Sequence, residues 1–444
     1  MNQKNTDLGH GPVGKLLFSL ALPTITSQLV NMLYNLVDRV YIGHMQPVET
    51  VGSLALTGVG VCLPVIMVIS AFAALLAMGG APRASIQEGR GNPQEAERIM
   101  GNSFTLLLTA SILLTVVFQL FAEPLLLTFG ASWNTIGYAM DYMRIYTLGT
   151  LFVQMTLGMN AYITAQGFTT VSMVTVLIGA GLNTVLDPIF IFALGMGVRG
   201  AALATILSQA VSAVWVLRFL RGPQTRWRLR KEYLRPTPSV FLPCLALGLA
   251  PFIMQSTESL IAVCFNSSLL KYGGDIAVGS MTVLTSIMQF AMMPLQGLSQ
   301  GAQPIVSYNF GARNAQRVRD AFRCLLRACL TYSLVLWALV QLFPRPFVLI
   351  FNSTPELVDY AVWAMRIYLG ATGIFGIQIA CQQTFIALGN AKASLFLAIL
   401  RKIILLIPLI YILPHFFANK VFAVFLAEPV ADLLAVCTTA TMFA

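Results

Sequence analysis

The chain has 444 residues, of which 57% are hydrophobic and only 10% are charged. Because an ordinary soluble domain carries roughly 25% charged residues, this composition excludes a soluble globular protein and indicates a chain embedded in lipid. The net charge of +10 has two explanations, nucleic-acid binding and basic loops at a membrane surface, and the distribution of the charges along the chain decides between them.

The apolar segments are long, and their length predicts helices. A backbone in hydrocarbon must satisfy its own hydrogen bonds, so only helices and closed barrels span a membrane. The runs far exceed the roughly ten residues of a barrel strand, and a spanning helix needs about 20. We therefore predict an all-α integral membrane protein with about 12 transmembrane helices. The predicted segments cover residues 16–42, 51–78, 99–122, 138–164, 168–194, 198–218, 240–270, 276–306, 324–351, 359–387, 393–417 and 421–443.

The second half of the chain repeats landmarks of the first. The sequence Met-Arg-Ile-Tyr at 143–146 returns at 365–368, and this offset of 222 residues is half the chain length. The same offset relates Gly89 to Gly311, Asn92 to Asn314 and Gly167 to Gly389. Six spans return the chain to one side of the membrane, so two parallel, pseudo-symmetric bundles are predicted. The predicted units are an amino-terminal six-helix lobe at 1–222, a basic cytoplasmic linker at 223–239 and a carboxyl-terminal six-helix lobe at 240–444.

The first predicted span carries a polar stripe. Thr24, Gln28, Asn31, Asn35 and Asp38 follow at steps of four, three, four and three, which places them on one helical face. Such a face meets protein or water, and interhelical hydrogen bonds explain the neutral members as well as a binding site does. Asp38 differs, because a carboxylate within a span costs about 2.5 to 3.5 kcal/mol on insertion and indicates function.

The fifth predicted span ends in an acidic motif. Asn183 and Asp187 lie four residues apart on one helical face, and Pro188 follows at once and removes a backbone donor. Carboxylate, amide and freed carbonyl oxygens suit Na⁺, and a desolvated carboxyl group equally suits proton carriage. Thr205 and Asn160 would add neutral oxygens if their helices pack alongside. A structural salt bridge or a cap before the proline is the alternative for Asp187.

The acidic motif has no copy in the second half. The positions offset by 222 from Asn183 and Asp187 are Leu405 and Leu409. A carboxylate needed only to build the repeated fold would not be lost from the copy. The asymmetry therefore favours a task performed by one bundle.

The second half has its own acids. Glu258 follows Gln255 by three residues on the same helical face. It would bind a cationic substrate or a proton, or pair with a neighbour, and the sequence leaves these alternatives open. Glu428 and Asp432 lie one turn apart in the last predicted span, and we expect them to be structural.

Basic residues gather on one side of the predicted topology. With a cytoplasmic amino terminus, the inside connections include the arginine-rich linker from Arg218 to Ser239. The outside connections hold only Arg199, Lys271, Arg345 and Lys420. This asymmetry satisfies the positive-inside rule, so we predict both termini in the cytoplasm and a multi-pass protein of the plasma (inner) membrane. Loops facing anionic lipid account for the net charge, so membrane lipid and not nucleic acid is an expected partner.

No enzymatic motif accompanies these features. The seven cysteines lack metal-ligand spacing, and the three histidines lie near segment ends. The sequence holds no phosphate-binding glycine loop, metalloprotease motif or triad-like pattern. We therefore predict no enzyme activity and no cofactor other than a coupling ion.

Several longer motifs carry a family resemblance. They are Leu-Tyr-Asn-Leu-Val-Asp at 33–38, Gly-Leu-Asn-Thr-Val-Leu-Asp-Pro-Ile-Phe-Ile at 181–191 and Gly-Ala-Ala-Leu-Ala-Thr at 200–205. In the second half they are Gly-Ala-Gln-Pro at 301–304 and Tyr-Asn-Phe-Gly-Ala at 308–312. With these motifs the chain resembles the multidrug and toxic compound extrusion (MATE) transporters along nearly its full length. The long motif of the fifth span is highly specific, whereas the isolated glycine matches are weak.

The resemblance implies two six-helix lobes around a V-shaped cavity, and outward export of organic cations coupled to inward flow of Na⁺ or H⁺. In the branch with an acidic first lobe, the ion site involves positions that match Asp38, Asn183, Asp187 and Thr205, with Asn160 and Tyr34 nearby. A sister branch uses carboxylates in the seventh and tenth spans. Glu258 falls in a comparable region, but the tenth predicted span has no acid beyond its outer start.

We therefore predict an antiporter, driven by H⁺ or Na⁺, that exports organic and often cationic drugs by alternating access. A lipid or glycolipid flippase is the alternative, and a predominantly positive central cavity would favour it; an ion channel is a further competitor. Thioethers adapt to varied ligands and aromatic rings attract cations. The predicted substrate contacts are Asn31, Asn35, Gln154, Met155, Met159, Met254, Gln255, Glu258 and Met288, and the predicted hinge is Pro188. Small organic molecules are the expected substrates, and we expect a monomer.

Overall fold

A computed structural model gives the structure of the protein and describes residues 7–46, 51–351 and 354–443. The regular elements in these three ranges are helices. The two ends of the chain, which we predict to be cytoplasmic, lie outside the described residues. Large apolar side chains are exposed around the bundle, among them Leu22 at 67% and Val214 at 64%. Such exposure fits a protein whose solvent is lipid.

Twelve long helical segments follow one another in the three described ranges. They are α1 Val13–Gly43, α2 Ser53–Gly89, α3 Pro93–Leu120, α4 136–165, α5 Thr169–Ala193, α6 Val198–Arg221, α7 238–273, α8 275–311, α9 Ala315–Leu342, α10 Pro355–Tyr368 with Thr372–Ala387, α11 Ala391–His415 and α12 Lys420–Phe443. Short helices Ala122–Thr128 and Pro344–Leu349 follow α3 and α9. These segments confirm the predicted all-α multi-pass fold.

Local breaks explain why fewer than twelve uninterrupted helices are present. Nine helices in the described ranges are long and apolar enough to span, and one of them is the 74-residue helix Pro238–Gly311. That helix turns at Gly274, whose φ of 69° suits glycine, and so contains α7 and α8. The two parts of α10 meet at 50°. Segment α4 is interrupted at Gly149 and by a π-helical turn at Met155–Met159.

Two predicted spans have boundaries that are wrong by roughly ten residues. The second span is predicted to end at residue 78, but α2 continues to Gly89. The ninth span is predicted at 324–351, but α9 covers Ala315–Leu342. The helix begins where the Asn314 side chain accepts a hydrogen bond from the Arg317 backbone N–H at 3.1 Å. The arginines assigned to a loop therefore occupy the first turns of the helix.

The two halves meet at one end of the bundle, which we call the closed end. The Thr24 hydroxyl of α1 donates to the Gly297 carbonyl of α8 at 2.7 Å. Next to it Gly301 lies against Ala21, where an added Cβ would stand 2.5 Å from the Ala21 Cα. Close backbone packing between α1 and α8 therefore joins the first half to the second.

The linker between the halves is fixed to the first half. The Gln166 side-chain oxygen accepts three hydrogen bonds, from the Thr225 hydroxyl at 2.8 Å and from the Arg226 and Trp227 amides at 2.7 and 3.1 Å. The Trp227 side chain is fully buried. These contacts make the linker an ordered element at the closed end.

Candidate cation and substrate site

A central cavity of about 440 Å³ lies beside the closed end. Ten of its wall residues carry side-chain amides: Gln28, Asn31, Asn35, Asn160, Asn183, Gln209, Gln255, Gln300, Gln303 and Gln383. Most of these residues come from the first half, and the last four come from the second. Among the described wall residues none is charged, so the cavity presents neutral donors and acceptors together with apolar surface.

Two carboxyl groups lie just behind this wall. Asp38 of α1 and Asp187 of α5 lie close to each other, and we call them the acid pair. Their side chains are 9% and 0% exposed. Two ionised carboxylates at such a separation repel each other strongly, so a proton or a metal cation between them stabilises the pair.

Neighbouring side chains connect the acid pair to the cavity. The Asn183 amide donates to Asp187 Oδ1 at 3.2 Å and to the Thr205 hydroxyl at 3.4 Å. Tyr34 contacts the side chain of Gln209 and lies close to both aspartates. Since Tyr34, Asn183 and Thr205 also line the cavity, one layer of side chains separates cavity and acids.

Several buried oxygens of this group have no hydrogen-bond donor among the residues that the structure describes. They are Asp38 Oδ1, Asn183 Oδ1 and Asp187 Oδ2, with Asn160 Oδ1 and Gln209 Oε1 close to the same wall. A buried oxygen without a partner costs about 1–3 kcal/mol, so native proteins rarely retain several together without a ligand. Hard oxygens of this kind suit H⁺ or Na⁺. No group of three or more His, Cys, Asp or Glu side chains in the described ranges is arranged to hold a metal ion.

The local helix geometry follows from proline. Pro188 has no N–H, and the helix continues beyond it as a π-helical turn at Ile189–Ala193, where the Leu194 amide bonds to the Ile189 carbonyl at 2.8 Å. Another π-helical turn, Met155–Met159, directly precedes Asn160 in α4. Such turns occur frequently at functional sites, and here two of them flank the polar group.

The structure brings the predicted ion-site residues together. Asp38, Asn183, Asp187 and Thr205 form one buried group, and Tyr34 contacts it. Asn160 lies further along the cavity wall, where its amide donates to the Ser172 hydroxyl at 2.9 Å. Their role as a cation site stays a prediction.

The predicted substrate contacts divide into two sets. Asn31, Asn35 and Gln255 line the central cavity, as expected. Gln154, Met155 and Met159 do not, because they are 0%, 3% and 0% exposed inside the first half. The Gln154 amide donates to the Ile69 carbonyl at 2.7 Å. The methionines were predicted from the adaptability of their thioethers, and that property does not report which way a side chain points.

The other contacts predicted in the second half, Met254, Glu258 and Met288, lie off the cavity wall. Met254 is half-buried, and Met288 packs against the core of the second half. Glu258 pairs with Lys402 of α11. The neighbour-pairing alternative for Glu258 is therefore the arrangement observed.

Sequence reasoning missed several wall residues. Gln209 follows Thr205 by four residues on α6, and this polar spacing would have revealed it. Gln300, Gln303 and Gln383 lie in the second half, where the repeat gives no acidic motif to draw attention to them. The adjacent cations Arg401 and Lys402 in the middle of the eleventh predicted span were a stronger signal, since charge at that depth indicates function.

Comparisons with known proteins agree with this architecture. The chain is 24% identical over 423 residues to the multidrug export protein MepA of Staphylococcus haemolyticus, covering 95% of this chain and 92% of that protein. An outward-facing structure of a multidrug resistance MATE family transporter of the MOP superfamily superposes with a TM-score of 0.91 at 24% identity, over 100% and 97% of the two chains. A MOP superfamily transporter from Pyrococcus furiosus, whose binding pocket is described as having reverse polarity, gives 0.89 at 23% identity, over 100% and 98%. The sequence profile of the MatE family matches residues 23–189 and 251–412, once in each half, and the chain therefore belongs to the MatE family.

Proposed function

We propose that this protein is a cation-coupled exporter of small organic molecules, many of them cationic, that works by alternating access. The observation that carries the proposal is the acid pair, with its unpartnered buried oxygens, one side-chain layer behind an uncharged cavity. The multidrug export role of the similar MepA protein supports the same substrate class.

The coupling step follows from electrostatics. With the acid pair empty and ionised, its negative field reaches the cavity through Tyr34, Asn183 and Thr205 and favours an organic cation there. A proton or Na⁺ between Asp38 and Asp187 removes that attraction, so the cargo leaves. A coupling free energy of about 1–3 kcal/mol between the two ligands corresponds to a roughly 5- to 150-fold change in affinity, which suffices for exchange.

The conformational part of the proposal assigns a hinge and a topology. Pro188 lets the end of α5 rearrange when the acid pair is filled, because the helix there already lacks a hydrogen bond. We place the closed end and both termini in the cytoplasm, so the state described is outward-facing. The lobes are 1–222 and 240–444, with the linker at 223–239, and the protein acts as a monomer in the plasma membrane.

A flippase of anionic lipid headgroups is the competing function. It requires cationic side chains in the cavity, whereas the described wall of the central cavity carries amides, hydroxyls and apolar groups without Lys or Arg. The neutral wall beside an acid pair therefore favours cationic cargo over an anionic headgroup.

Transport by purified protein in proteoliposomes tests the proposal. We expect export of an organic cation to be driven by either an inward proton gradient or an inward sodium gradient, each imposed with the other clamped. Asp187→Asn should reduce gradient-driven export at least about tenfold, because one carboxylate no longer binds the coupling cation. The variant should still fold, since the new amide keeps an oxygen for Asn183.

The matched control is Asp141→Asn. Asp141 lies in the same half and pairs with Arg199 at 2.9 Å, but its side chain is 40% exposed. Export by this variant should equal that of the wild type. Cargo movement that ignores both gradients, or full export by Asp187→Asn, would contradict the proposed mechanism.

A further inference from the structure

The second half contains a cluster of five charged side chains, four of them buried, that the proposed mechanism does not use. Arg401 of α11 donates to Asp432 at 2.7 Å and to Glu428 at 2.9 Å, both on α12. The Arg401 guanidinium also lies 4.6 Å from the ring centre of Phe375. Next to it, Lys402 pairs with Glu258 of α7.

This cluster occupies the same helices in its half as the acid pair and its neighbours do in the first half. The first-half group comes from α1, α5 and α6, and the second-half cluster comes from α7, α11 and α12, which are their counterparts at the 222-residue offset. Arg401 and Lys402 are offset by 222 from Gly179 and Ala180, which line the central cavity. Both basic residues lie in a π-helical turn, Leu400–Leu406. In the first half, therefore, the acidic side chains keep oxygens without a donor, whereas in the second half they form ion pairs with Arg401 and Lys402.

The cluster consists of the Arg401–Glu428–Asp432 triad and the Lys402–Glu258 pair, and the two differ in exposure. The side chains of Arg401, Glu428 and Asp432 are 10%, 7% and 3% exposed, so this triad is a closed unit. Lys402 is likewise 8% exposed, but Glu258 is 54% exposed. A buried ion pair is often no more stabilising than apolar side chains of the same volume. Stability alone therefore does not account for the Lys402–Glu258 pair, in which one partner is buried and the other exposed.

Helix geometry directs Glu258 toward the cleft between the halves, which continues from the central cavity, and away from the lipid. It lies one turn beyond Gln255, which lines the central cavity, on the same face of α7. The exposed apolar residues Leu260 and Val263, at 51% and 63%, mark the lipid side of this helix. With about 100° per residue they lie roughly 140° to 160° from Glu258 around the helix axis. A ligand moving along the cleft therefore meets the Glu258 carboxylate, with Lys402 directly behind it.

We propose that Lys402 is a specificity-determining residue that acts as the tethered counter-ion of Glu258 and lowers the affinity of the cleft for cationic cargo. The ammonium group cancels most of the field of the exposed carboxylate, so the second half attracts an organic cation weakly and releases it readily. The inference rests on the proposed export of organic cations. It adds Glu258 as a second contact for the cargo, and Lys402 sets the strength of that contact. Without Lys402, Glu258 is an unpaired acid in the cleft and holds the cation.

A pair of probes with one shape and opposite charges tests this assignment. Tetraphenylphosphonium and tetraphenylborate are titrated calorimetrically into the purified full-length protein, as wild type and as Lys402→Met. We expect the variant to bind tetraphenylphosphonium about five- to tenfold more tightly and tetraphenylborate more weakly, because one positive charge has left the site. Lys402→Gln, which keeps a hydrogen-bond donor near Glu258, should give the same direction and serves if Lys402→Met does not fold.

Two further variants separate charge from shape. Glu258→Gln combined with Lys402→Met removes both charges and should return both affinities to near the wild-type values. Lys420→Gln removes a charge from an exposed lysine of the same half and should change neither. A shift of both probes in the same direction, no shift, or a gain that persists in the double variant would overturn the role of Lys402. Wild-type protein that fails to bind tetraphenylphosphonium would instead contradict the proposed cargo class, and this inference with it.

Discussion

Replacing a single glycine at the closed end should change the conformational equilibrium of the whole protein. Gly89 of α2 and Gly311 of α8, which are related by the 222-residue offset, lie where the halves touch. A Cβ added at Gly89 would stand 2.0 Å from the Tyr308 carbonyl oxygen, and one added at Gly311 would stand 2.0 Å from the Ile86 carbonyl oxygen. Both obstacles are backbone atoms, so no side-chain rotation relieves the clash.

The size of the effect follows from these distances. An ordinary contact to Cβ is at least 3.4 Å, so Gly89→Ala requires α2 and α8 to separate by more than about 1 Å. Overpacking of this kind costs about 1–3 kcal/mol when the surroundings cannot yield. Here the strain disappears if the halves part at the closed end. We therefore expect the population open at that end to rise roughly 5- to 150-fold, since about 1.4 kcal/mol is tenfold.

Spin labels across the closed end measure this shift. Gln94 and Gln316 are exposed, lie in the first turns of α3 and α9, and share the 222-residue offset. Cysteines at these two positions, with exposed Cys437 changed to Ser, place one label on each half. Gly89→Ala should move the distance distribution in detergent or nanodiscs toward longer values, and Gly311→Ala should do the same. Coupled export should fall in both variants.

Gly181→Ala is the matched control. Gly181 lies on α5, and an added Cβ there meets nothing within 4 Å. It should leave the distance distribution and the export rate unchanged. An unaltered distribution and full export in Gly89→Ala would refute the view that backbone packing at this position keeps the closed end shut.

Two further predictions concern stability. Gln166→Leu removes the oxygen that accepts three linker hydrogen bonds, at about 1–3 kcal/mol for each buried donor left unpaired, so thermal unfolding of the purified protein should occur several degrees lower. Gln316→Leu on the surface should have no such effect, and equal unfolding temperatures for the two would refute the structural role of the linker. Asp432→Asn breaks one bond of the buried Arg401 cluster and should destabilise by about 3–5 kcal/mol, seen as a loss of folded yield. Asp359→Asn, whose partner Arg345 is 63% exposed, is the control, and an equal yield from both would contradict the estimate.

The parts of the fold that the sequence predicted are those governed by periodicity and by chain length. An apolar run of spanning length must form a helix where the chain meets lipid. For this reason the boundaries of most predicted spans agree with the structure within a few residues. The structure also brings Asn183, Asp187 and Thr205 together, while their role as an ion site stays a prediction. Four-residue spacing fixes the relative positions of Asn183 and Asp187 on α5 without knowledge of the tertiary structure, whereas Thr205 meets them only because α6 packs against α5.

The parts that the sequence did not predict depend on register and on side-chain direction. A π-helical turn at Met155–Met159 changes which residues face the cavity, and no hydrophobic pattern reports such a turn in advance. The predicted spans place Arg317 in the connection between residues 306 and 324, because charged residues lower the mean hydropathy by which a span is recognised. In the structure α9 already begins at Ala315. The pairing of Glu258 with Lys402 joins residues 144 positions apart, so only the packing of α7 against α11 reveals it.

The two halves share one duplicated backbone frame but differ in how their buried polar atoms are paired. A site that exchanges its ligand must leave polar atoms unsatisfied until the ligand arrives, and those atoms cost free energy in the empty state. In the first half, Asp38, Asn183 and Asp187 each keep a buried oxygen without a donor. In the corresponding helices of the second half, Arg401 and Lys402 supply donors that are covalently fixed and cannot be exchanged. The repeat therefore preserves the backbone frame. We propose that unpaired oxygens let the first half bind the driving ion, whereas tethered cations let the second half adjust the affinity for the cargo.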